Sequence, residues 1–72
     1  MYRTVEIISK FNKIKRPKWV DLIALQSFYG KKSLSESRKF ASSLLAPHNN
    51  FVRVFIVTHH DNGRRSFKEV EG

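Results

Sequence analysis

The chain has 72 residues, with 14 lysines and arginines against 6 acidic residues, no cysteine, and a formal charge of +8 at pH 7. A body of this size holds one small core and no deep enclosed cleft, which argues against an enzyme and for a binding module. Lack of cysteine excludes disulfides and thiolate chemistry, and the basic excess points to a polyanionic partner.

Residues 3–15 set Ile7, Ile8, Phe11 and Ile14 at the offsets of one helical face, with Glu6, Ser9, Lys10 and Lys13 opposite, and predict a first helix. Pro17 interrupts it and suits the first turn of a second helix over 18–29. That segment, KWVDLIALQSFY, is apolar on nearly all sides and predicts a central helix, stopped by Gly30, Lys31 and Lys32. Ser33 followed by Glu36 has the capping-box spacing and predicts a third helix over 34–46. Its inner side is Leu34, Phe40, Ala41, Leu44 and Leu45, and its outer side is Ser35, Lys39, Ser42 and Ser43 with Arg38 on the shoulder. Pro47 ends it.

FVRVFIVTHH and RRSFKEVE alternate as strands over about 51–58 and 64–70, around Asn62-Gly63. Asn-Gly predicts a two-residue type I′ turn, which pairs Asp61 with Arg64, His60 with Arg65, Thr58 with Phe67 and Phe55 with Val70. The expected fold class is therefore α+β: three helices followed by a C-terminal β-hairpin, in one domain over 1–72.

This order of elements resembles a winged helix-turn-helix domain. Gly30 stands at the turn glycine, while Gln26 and Glu36 depart from the short helix-turn-helix signature and imply a looser turn. The resemblance implies a non-enzymatic DNA-binding protein: a regulator, an architectural factor or an excisionase-like accessory. The third helix would enter the major groove with Ser35, Arg38, Lys39 and Ser42, and the hairpin wing would bring Arg64, Arg65 and Lys68 to the backbone or minor groove. Lys31, Lys32, Lys15, Arg16 and Lys18 would hold phosphates. If about six cations neutralise phosphates, log K falls against log salt with a slope near −5.

Two other functions stay open. One is a protein-interaction module, for example a small phage-type inhibitor of a host protein. FVRVFIVT is apolar on both faces, so a second copy or a partner could cover one of them. The other is RNA binding, for which no RNA-recognition, KH or OB-fold signature is present. His59 and His60 are adjacent on a strand and point to opposite faces, and His48 is the third histidine, so neither a metal site nor a catalytic pair is expected. No cofactor is expected. The aromatics read as core, with Tyr2 and Tyr29 unassigned. Without a secretory signal or a long apolar run, the expected location is the cytoplasm, at the nucleoid if DNA is bound.

Overall fold

The computed structural model describes residues 1–13, 18, 21–45 and 51–71. Strands β1 (Tyr2–Ser9) and β2 (Ile23–Tyr29) come first, then helix α1 (Ser33–Leu44), then strands β3 (Val52–His59) and β4 (Arg65–Val70). The strands form one antiparallel sheet in the order β2-β1-β3-β4, and α1 packs on one of its faces.

Three helices and a hairpin are therefore not the architecture. The first two expected helices are strands, and only the third is helical. In YRTVEIIS both periods fit the apolar residues, but Thr4, Val5, Ile7 and Ile8 are β-branched and favour the pleat. Ile7 lies on the helix side of the sheet and Ile8 on the other, and Phe11, expected inside, is 80% exposed. In IALQSFY, apolarity all round reflects an edge strand with Phe28 turned into the core and Ile23, Leu25 and Tyr29 outside. A short apolar run cannot be told from a buried helix by periodicity alone. Between Gln26 and Ala24 the pairing to β1 skips Leu25, a bulge that twists this edge. Of the residues expected to be helical, Ile14, Trp19 and Val20 lie outside the described set, as do Pro17, Pro47 and His48.

The expected capping box is also replaced. Lys32 is the N-cap and makes no side-chain cap, while Ser33 Oγ accepts a 2.7 Å hydrogen bond from Arg3 Nη1. Ser33, Ser37 and Ala41 are the buried residues of α1, spaced four apart. These small side chains let the helix axis approach the sheet, and Ser37 Oγ is satisfied locally by donating to Leu34 O at 3.0 Å.

The core has two parts, one on each face of the sheet. Val5, Phe28, Val54 and Ile56 meet Ala41 beneath α1. Ile8, Leu22, Phe55 and Val57 cluster on the other face, so the second apolar face of β3 is covered from within the chain.

The hairpin turn differs from a type I′ turn in a way that matters for the site. Gly63 N donates to His60 O at 3.0 Å, and His60 N donates to Arg64 O at 2.8 Å. Only Gly63 has positive φ, at 84°; Asn62 does not. This is a three-residue loop, a turn followed by a left-handed glycine. It pairs Thr58 with Ser66 and Ile56 with Lys68, one residue away from the expected register. A one-residue slip exchanges the faces of a whole strand, so Lys68 lies on the helix side instead of across from Val57 on the other. A Cβ on Gly63 would meet nothing within 4 Å, so only backbone strain opposes a side chain there. Gly63→Ala is expected to lower stability by about 1 kcal/mol, and Gly63→Asn by less, since Asn tolerates the left-handed region. Urea unfolding midpoints of the two variants check this.

Candidate nucleic-acid interface

Helix α1 lies over β2, β1 and β3 and reaches β4 only at its margin. Between it and the edge strand runs an open groove. Leu34, Arg38 and Ser42, one above another at four-residue spacing, form one wall, and Ser66, Lys68 and Val70, alternating along β4, form the other. Ile56 and Thr58 make the floor. The groove has two lobes, of about 340 Å³ toward the hairpin and about 250 Å³ toward the far end, and Arg38 and Lys68 line both. Glu69 and Glu71 border the far lobe, so the hairpin lobe is the more positive of the two.

The sheet register fixes which cations share an end of the molecule. Tyr2 pairs with both Tyr29 and His59, and His59 pairs with Arg65. The turn holding Lys31 and Lys32 and the hairpin tip holding Arg64 and Arg65 therefore lie at one end of the sheet, all four residues exposed. The N-terminus of α1 points the same way and adds the positive end of its dipole. Asp61 at the tip takes the Met1 amino group as partner, which holds its carboxyl below the usual range.

Of the sequence-predicted residues, Arg38, Ser42 and Lys68 meet in the groove. Lys31, Lys32 and Arg64 lie at its hairpin end, while Arg65, across from His59, is on the other face of the sheet. Ser35 and Lys39 sit on the exposed outer surface of α1, where Ser35 Oγ donates to Lys32 O at 3.1 Å. Lys18 belongs to the β1–β2 connection, which leaves and rejoins the sheet at the opposite end, and its backbone N–H is bonded to Asp21 Oδ2 at 2.9 Å. Lys15 and Arg16 lie outside the described residues. Arg53 is engaged by Glu69 through two hydrogen bonds of 3.0 and 2.8 Å, which lower the Glu69 pKa and raise that of Arg53.

Sequence reasoning missed the arrangement on the opposite face. Tyr29, Tyr2 and His59 stand in a row across three strands, with ring centroids 5.1 and 4.3 Å apart and interplanar angles of 24° and 2°. Beneath them His59 Nε2 lies 2.8 Å from Thr4 Oγ1, which donates to Glu6 Oε2 at 2.7 Å. Thr4 and Glu6 are both buried. Only the sheet order β2-β1-β3 makes these residues neighbours; the signal in the sequence was limited to the alternation around Thr4 and Glu6.

Burial lowers the His59 pKa; Glu6 opposes this and Arg65 reinforces it. The unfolded chain therefore takes up the proton more readily than the folded one. The contribution of His59 to stability is complete above the ordinary imidazole value of 6.5 and is lost as pH falls below it. Urea midpoints are expected to drop between about pH 7.5 and about pH 5, with a shallower drop in His59→Asn.

Among the described residues no three or more His, Asp or Glu side chains converge as a metal site, and no helix is long and apolar enough to cross a membrane. No protein-family model, curated protein or solved structure matches this chain.

Proposed function

We propose that this protein is a non-enzymatic DNA-binding domain that grips the phosphate backbone in the groove between α1 and β4. The observation that carries the reading is the meeting of Arg38 and Lys68 along that groove, with Ser42 and Ser66 beside them as hydroxyl donors. Cations and short hydroxyls bond phosphate oxygens irrespective of sequence. Lys31, Lys32 and Arg64 continue the positive surface at the hairpin end, and Ser35 and Lys39 extend it over the outer side of α1, while Arg65 adds its charge from the other face of the sheet. An excess of +8 concentrates a polyanion around such a surface. Binding is expected to be led by the backbone, because α1 is the one helix among the described residues and lies flat on the sheet, without the helical platform that presents a recognition helix.

Fluorescence anisotropy of labelled duplex DNA over a salt series tests the reading. About six phosphate contacts give a slope of log K on log salt near −5, and absence of binding at low salt would refute the proposal.

A second reading, protein interaction, has one observation in its favour. Edge strand β2 carries no charged residue in an otherwise highly charged chain, and Ile23 (62%) and Leu25 (43%) are exposed along it. A partner strand could add there, whereas β4, the other edge, is guarded by Arg65, Lys68 and Glu69.

A further inference from the structure

We propose that the outward face of Tyr29 is a stacking site for an unpaired nucleobase, so that the protein retains single-stranded segments of DNA in preference to a bare phosphate chain. This inference rests on the nucleic-acid reading for the class of its ligand, but on different residues from those that line the groove.

Tyr29 ends a row of rings whose separations follow the roughly 4.8 Å spacing of neighbouring strands. Each ring fills the slot above one strand: Tyr29 on β2, Tyr2 on β1, His59 on β3. Because β2 is an edge of the sheet, no strand among the described residues fills the slot beyond Tyr29. The inner face of the tyrosine ring covers Tyr2, and the residue as a whole is 69% exposed. A planar group entering that slot extends an existing stack without moving any of its members. The ring is held from behind by its neighbour, which limits the rotamer freedom lost on binding.

The charge around the slot selects among planar ligands. Gly30, with φ of 85°, turns the chain directly after Tyr29, and exposed Lys31 and Lys32 follow it. A base on Tyr29 thus has cations two and three residues away for its own phosphates. Strand β2 itself is uncharged, so no carboxylate on it repels the ligand. Bases inside a duplex are already stacked on both sides, so the slot suits a base in a single strand or at a frayed end.

The test compares a labelled oligodeoxythymidylate with an abasic sugar-phosphate strand of equal length and charge, each titrated by anisotropy against the intact protein. The base-bearing strand is expected to bind roughly tenfold more tightly, the difference being the stacking contribution. That gap should close in Tyr29→Ala and in Tyr29→Leu, which keeps apolar bulk without a π-face, and persist in Tyr29→Phe. Equal binding of both strands by the unaltered protein, or a gap that survives in Tyr29→Ala and Tyr29→Leu, would overturn the stacking site and leave the phosphate groove standing. Failure of both strands to bind while duplex DNA still binds would overturn the stacking site alone, and failure of the duplex as well would overturn the two readings together. Circular dichroism of each variant shows that the sheet is retained.

Discussion

Replacing Arg38 and Lys68 together by alanine is expected to weaken duplex DNA binding roughly thirtyfold at about 0.15 M salt and to reduce the salt slope by about 2. Both numbers follow from counterion release: each lost phosphate contact removes about 0.9 from the slope, and at that salt each such contact contributes a little under one order of magnitude in affinity. Arg38 and Lys68 are exposed, so truncating them leaves the core untouched and the loss registers in binding, not in folding. Lys18→Ala serves as the comparison, since Lys18 lies in the connection at the other end of the sheet. It removes the same charge as either single replacement but should lower the slope by much less. If all three single variants lose equally, the binding is a diffuse response to net charge and the groove has no special part in it. Anisotropy titrations at several salt concentrations separate these outcomes.

Phe55→Ala is expected to destabilise the protein by about 3–5 kcal/mol. Phe55 is 3% exposed and sits between Ile8, Leu22 and Val57, with the Arg53 guanidinium 5.2 Å from its ring centroid. Removing the ring opens a cavity in the smaller of the two apolar clusters and strips the floor from beneath the Arg53–Glu69 pair. A chain of this length has a total stability of about 4–11 kcal/mol, so the loss is a large share of it. Phe67, on the edge strand and 37% exposed, offers the contrast: Phe67→Ala should cost about 1 kcal/mol, in keeping with its partial burial. Urea unfolding followed by circular dichroism reads both, and a shift in midpoint at unchanged slope identifies a change in stability alone.

Parts of this architecture were legible in the residues and parts were not, for physical reasons. The helix at Ser33–Leu44 and the two C-terminal strands are present where periodicity and composition placed them. The N-terminal half is ambiguous because the apolar residues of TVEII and DLIALQSF are compatible with a helix and with a strand, and β-branching at Thr4, Val5, Ile7 and Ile8 tips the first of them to the pleat. The helical wheel also put Leu34 inside and overlooked Ser33 and Ser37, because hydrophobicity does not reveal where a helix needs small residues to approach a sheet. Asn62-Gly63 was rightly a turn, yet the same dipeptide serves a three-residue loop when the asparagine keeps negative φ.

That single register step has functional weight. It carries Lys68 to the side of the sheet where Arg38 stands, and so builds the groove from two residues that the sequence had assigned to separate contacts, a recognition helix and a wing. The row of Tyr29, Tyr2 and His59 was out of reach for another reason. Its members lie 27 and 57 positions apart from Tyr2 in the chain and become neighbours only through the strand order.

Backbone amide chemical-shift mapping during titration with a short DNA duplex tests the central claim most directly. Shifts concentrated at Arg38, Ser42, Ser66 and Lys68, and extending to Lys31, Lys32 and Arg64, are the expected result. Shifts confined to edge strand β2, or spread evenly over every exposed lysine and arginine, would contradict it.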